Sequence, residues 1–132
     1  MPLYILDSFA ILAFLEGESS AGRVKEIFLQ AQHGDADIYF SLINLGEVLY
    51  ITERERGLPL AQKTLAVIDQ LPLKILPANC ERVLAAAHIK ANYPVAYVDA
   101  FAIAAAQELN GTVITGDPEF SQVESFIQIE WL

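Results

Sequence analysis

The stretch Leu3-Tyr4-Ile5-Leu6-Asp7-Ser8-Phe9 sets the pattern on which the fold is read. Four apolar residues are too short a run for a helix and suit a buried strand. The acid that ends them precedes a helix opening at Phe9, with Asp7 or Ser8 as its cap. Apolar runs of the same kind recur at 37–40, 73–76, Thr112–Thr115 and 126–130. Helical patterns lie between them. Val24, Ile27, Phe28 and Ala31 fall at i, i+3, i+4 and i+7, and Gly34 stops that helix. A second helix covers Leu42–Arg56 and ends at Gly57; a third opens at Pro59 and runs to about Gln70. Asn79 caps one from Cys80 to about Ala91, and Asn110-Gly111 ends another that opens at Asp99. Residues 92–98, with Pro94, read as an extended loop, and 118–124 as a loop or a short helical turn. Strands alternating with helices predict an α/β domain with a mostly parallel sheet. No repeat or linker interrupts the chain, so residues 1–132 read as one domain.

Composition narrows the function. Hydrophobic residues make up 54% of the chain and charged residues 19%, which excludes a disordered chain. So high an apolar fraction in a short chain is compatible with an interface to another subunit or a partner, which composition alone does not show. The net charge of −9, from 8 basic and 17 acidic residues, excludes nucleic-acid binding through a broad basic face. It leaves open a site that grips phosphate through bound cations. Cys80 stands alone, so no intrachain disulfide forms, in keeping with a reducing compartment. Met1-Pro2-Leu3 carries no basic residue, and Asp7 and Glu16 break the apolar segment, so neither a signal peptide nor a spanning helix is expected. The expected location is cytoplasmic, with no membrane partner.

Four acids stand in apolar surroundings. Glu47 lies within Ile43-Asn44-Leu45-Gly46-Glu47-Val48-Leu49-Tyr50-Ile51, without a Lys or Arg within four residues. A helix interior needs no cap, so this reads as a deliberately buried charge, costly unless paired. Asp7 ends the first strand, Asp99 follows Val95-Ala96-Tyr97-Val98, and Asp117 follows Val113-Ile114-Thr115-Gly116. Each of the three aspartates has a plainer reading as a cap or a turn residue. Together they fit one crevice, because ligands in open α/β sheets bind beyond the C-terminal strand ends. Carboxylates about 5 Å apart repel by roughly 3 kcal/mol per pair at an effective dielectric of about 20, so such a cluster requires cations. Oxygen ligands without clustered His or Cys favour Mg²⁺ or Mn²⁺ over zinc.

With these residues assembled, the chain resembles PIN-domain proteins of the VapC-like type, the toxin ribonucleases of toxin–antitoxin pairs. The matching pieces are Tyr4-Ile5-Leu6-Asp7-Ser8, Asn44-Leu45-Gly46-Glu47-Val48, Val98-Asp99-Ala100-Phe101-Ala102-Ile103-Ala104 and Ile114-Thr115-Gly116-Asp117-Pro118-Glu119-Phe120. In order and spacing they cover nearly the whole chain. The resemblance implies a three-layer α/β/α fold with a five-stranded parallel sheet. It implies that Asp7, Glu47, Asp99 and Asp117 hold Mg²⁺ or Mn²⁺ for endoribonuclease cleavage of single-stranded or structured RNA. Ser8 and Thr115 match positions where the family often carries a hydroxyl near the metals. It further implies a homodimer and a cognate antitoxin with a basic segment.

The remaining polar residues are weaker candidates. Arg54 falls on the Glu47 face of its helix, seven residues on, where it could reach a phosphate; Arg56 and Lys90 are lesser candidates for the same role. Glu119 has the neighbourhood of an extra acid at the site, with a surface turn as the preferred reading; His33 and His88 read as surface or helix-end residues, and Tyr50, Tyr97 and Phe101 as core aromatics rather than stacking platforms. A receiver or dehalogenase-like phosphoryl-transfer domain also gathers strand-end aspartates. It wants a lysine after a late strand, and none follows Lys90; Asp7-Ser8-Phe9 also lacks a second nucleophile-motif acid. A catalytically silent binding module with an acidic pocket for a basic partner is the alternative from another class.

Overall fold

A computed structural model describes all of residues Met1–Leu132. Five strands, β1 (Leu3–Leu6), β2 (Asp37–Ser41), β3 (Lys74–Leu76), β4 (Thr112–Thr115) and β5 (Gln128–Trp131), form one sheet in the order β3-β2-β1-β4-β5. Every pairing is parallel. Side-chain alternation sends successive strand residues to opposite faces. Ile5 and Val113 enter one apolar cluster, while Tyr4, Leu6 and Ile114 enter the other. A parallel sheet buried on both faces needs near-continuous apolar strands, which explains the short unbroken runs in the sequence.

The helices supply the two outer layers of the α/β/α sandwich. Helices α1 (Ser8–Leu15), α2 (Ala21–Gln32), α3 (Leu42–Arg56) and α4 (Leu58–Asp69) bury Ile11, Ile27, Val48 and Ile68 against one face. Helices α5 (Cys80–Asn92) and α6 (Tyr97–Leu109), with a 3₁₀ turn at Pro118–Val123, cover the other. Helix α6 buries every residue from Asp99 to Ala106. Its alanines admit close approach to sheet and neighbouring helices, a packing that larger side chains would prevent. No helix is long and apolar enough to cross a membrane.

Several boundaries differ from the sequence reading, each for a local reason. Helix α6 opens at Tyr97, with Ala96 at the N-cap and no side-chain cap. Asp99 is therefore a first-turn residue and not the cap, and its carboxylate is free of that bond. Helix α1 opens at Ser8 because Asp7 is the cap. Strand β5 starts at Gln128 rather than Phe126, since Phe126 and Ile127 close the turn behind the 3₁₀ segment by donating to Val123.

Candidate metal centre

The chain lays β2 and β3 on one side of β1, then returns to lay β4 and β5 on the other. Strand order therefore reverses between β1 and β4, which pair directly with Leu6 opposite Ile114. In open α/β sheets the ligand crevice lies beyond the C-terminal strand ends at such a switch point. Asp7 is the next residue after β1, and Asp117 lies two residues after β4.

A hydrogen-bonded chain joins these acids. Ala10 N–H donates to Asp7 Oδ1 at 2.9 Å, closing the first turn of α1. The Thr115 hydroxyl donates to Asp7 Oδ2 and accepts from the Asp117 N–H at 3.0 Å. One side chain thus fixes the β1 acid relative to the β4 acid. Asp117 Oδ1 accepts from the Glu119 N–H at 2.9 Å as the cap of the 3₁₀ turn. The Glu119 carboxylate accepts from the Ala96 N–H, where α6 begins. Carboxylate oxygens of Asp99, Asp117 and Glu119 all lie within 4.8 Å of one another.

Charge is concentrated there without compensation. Burial, followed by the charges of Asp117, Asp7, Glu119 and Glu47, pushes Asp99 up to about 8. Burial pushes Asp7 up to about 7; the Thr115 and Ala10 hydrogen bonds oppose that shift, and the Asp117 charge adds to it. Asp7 is only 1% exposed and Asp99 7%. None of the five acids forms a salt bridge; the basic side chains paired with carboxylates are Arg23, Arg56, Lys74 and Arg82. An oxygen-only set of unpaired carboxylates suits a hard divalent cation such as Mg²⁺ or Mn²⁺.

Glu47 corrects one expectation. It is half-buried and not sunk in a core: Asn44, Leu45, Val48 and Thr52 form the buried stripe of α3, while Leu42, Gly46 and Tyr50 are exposed. Its charge still adds to the upward push on Asp99, although it is not one of the three acids whose oxygens lie within 4.8 Å of one another. Glu119 shifts another: it does lie in a turn, the 3₁₀ segment, but half-buried and with its carboxylate beside those of Asp99 and Asp117. Its only signal in the sequence is Asp117-Pro118-Glu119, in which an acid caps a turn two residues ahead of a second acid. The Ser8 hydroxyl caps nothing. It accepts from Asn44 Nδ2 at 2.9 Å and donates to the Asn44 carbonyl at 3.4 Å, tying α1 to α3. Arg54 is exposed, with its guanidinium 5.6 Å from the Tyr50 ring centroid and no carboxylate partner. Tyr50 and Tyr97 are exposed rather than core residues, whereas Phe101 is buried. His33, His88 and Lys90 are exposed.

The sequence matches the PIN domain family over residues 4–125. No curated protein matches it significantly. Among solved structures, it resembles VapBC2 from Rickettsia felis bound to a DNA fragment from their promoter, with TM-score 0.74 and 17% identity over 97% of each chain. It resembles the DNA-bound VapBC of Salmonella typhimurium with TM-score 0.72 and 21% identity over 98% of each chain. VapC20 of Mycobacterium tuberculosis, described as a sarcin-ricin loop cleaving toxin, gives TM-score 0.72 and 17% identity over 94% of this chain and 95% of that one. At such identities the likeness establishes a shared fold.

Proposed function

Because the chain belongs to the PIN domain family, we propose that it is a Mg²⁺- or Mn²⁺-dependent endoribonuclease, the toxin of a toxin–antitoxin pair. The observation that carries this reading is a set of buried and half-buried acids, without a single cationic partner, at the sheet's switch point. In this reading Asp7, Glu47, Asp99 and Asp117 hold the cation, with Glu119 beside them. When bound, the ion supplies activation of water for attack on phosphorus and neutralises the phosphoryl oxygens. Thr115 keeps the Asp7 carboxylate oriented, and Ser8, through Asn44, holds α3 so that Glu47 stays at the rim. Arg54 takes a phosphate of RNA away from the cleaved bond.

The partner reading draws on the solved relatives, which include VapBC toxin–antitoxin complexes. A cognate antitoxin with a basic segment fits the unpaired acids, and a homodimer and a cytoplasmic location complete the proposal. Purified protein should cleave RNA with Mn²⁺ or Mg²⁺ and not with EDTA, and Asp99→Asn should remove the activity by 100-fold or more, with about 10²–10⁴ expected for loss of a participating group. Cleavage by Asp99→Asn at the parent rate would sink the assignment. A parent that binds Mn²⁺ yet leaves RNA intact would instead be an acidic binding module.

A further inference from the structure

We propose that Phe9 is a stacking platform for one nucleobase beside the cleaved phosphodiester, a proposal that rests on the nuclease reading above. Phe9 is 38% exposed, although Ser8, Ala10 and Ile11 on either side of it in α1 are buried. Its ring lies on the backbone of Gly116, which leads directly into Asp117. A Cβ at position 116 would sit 2.3 Å from Phe9 Cε1 and 2.5 Å from Cζ. Gly116 is not among the glycines with positive φ, so its backbone could accept a side chain. The ring is what excludes one. An apolar ring held by a bare backbone at the lip of an acidic crevice, with part of its surface in water, is a prepared contact for a flat apolar partner.

Electrostatics point the same way. Four of the eight basic side chains are paired with carboxylates. Of the other four, Lys25, Arg54, Lys63 and Lys90, only Arg54 shares an element with a crevice acid. With a net charge of −9, phosphate attraction outside the cation site is weak, and binding has to draw on contacts that do not depend on charge. Stacking of a base on an aromatic ring is such a contact.

The test uses a short RNA that the parent protein cleaves, with single abasic replacements on each side of the cleaved bond. At one position base removal should lower kcat/KM by about tenfold in the parent, toward the lower end of what one aromatic–base stack contributes. In Phe9→Leu the intact RNA should already show that loss, and the abasic replacement should add nothing. Phe9→Trp should behave as the parent, and Gly116→Ala, which displaces the ring, as Phe9→Leu. A stack-independent result, in which every abasic effect persists unchanged in Phe9→Leu, overturns the Phe9 proposal while leaving the nuclease standing. A folded parent that neither binds nor cleaves any RNA refutes both, and does so before any variant is made.

Discussion

At the scale of single residues, the protonation of Asp7 and Asp99 governs how the metal-free protein responds to pH. Both carboxylates are raised, to about 7 and about 8, above the ordinary value of 3.8. The folded state therefore holds protons that the unfolded chain has already released. Their contribution to stability is fully present below the unfolded value and is lost as pH rises through the folded values, from about 4 to about 8. Melting of the metal-free protein should thus fall across that window, and Asp99→Asn should flatten the fall. A flat profile in the parent would show that neither carboxylate is raised. Cation binding must displace those protons, so Mg²⁺ affinity should climb with pH up to about 8 and then level off. Much of this cluster of acids is legible in the sequence. Asp7 and Asp117 stood out because strand ends are visible as places where an apolar run stops. Glu47 stands out by its apolar neighbours, but they overstate its depth. A continuous apolar run does not show which residues the helix phase turns outward, and here Leu42 and Tyr50 point to water. Glu119 ranks in the sequence as a surface turn before a site acid, because only the 3₁₀ turn brings it back beside Asp99.

At the scale of elements, the site is kept in shape by a few ties between pieces distant in sequence. Ser8 and Asn44 join α1 to α3, and both are buried, Asn44 completely. Asn44 Oδ1 has no partner even with Ser8 present. Ser8→Ala would also orphan Nδ2, an unsatisfied buried donor costing about 1–3 kcal/mol. We expect a loss of that size in urea denaturation, with weaker Mn²⁺ binding because α3 carries Glu47. An unchanged midpoint would mean that water replaces the tie. The α2–β5 clamp differs. Arg23 donates to both Glu130 oxygens, at 2.6 and 2.9 Å, but both side chains are about a third exposed. Arg23→Ala should therefore cost only about 0.5–1 kcal/mol and leave metal binding unchanged. A larger loss would mean that the edge strand depends on this pair. The elements themselves were read well where a local signal bounds them. Leu42–Arg56 runs up to Gly57, whose positive φ ends the helix, as the sequence indicated. Boundaries slipped where tertiary contacts decide, as at Tyr97, where α6 begins two residues early without a capping side chain.

For the whole molecule, the net charge of −9 and the unpaired crevice are two expressions of one imbalance. Anything cationic that enters the crevice relieves repulsion and stabilises the folded state in proportion to its occupancy. A divalent ion does so, and so would an arginine from the basic segment of a partner protein. The guanidinium can bond two carboxylates in a fixed fork, and it needs no deprotonation to bind. Ion and arginine then compete for the same oxygens. A synthetic Arg-containing basic peptide should raise the melting temperature without Mn²⁺, and each ligand should weaken the apparent affinity of the other. Raising the salt concentration should weaken peptide binding, because the contact is mostly charge pairing. The control is the Asp7→Asn/Asp117→Asn double variant, which should lose the stabilisation by both ligands together. Peptide binding that is indifferent to Mn²⁺ and persists in the double variant would place the basic partner elsewhere on the acidic surface. The crevice would then not be the site of the basic partner.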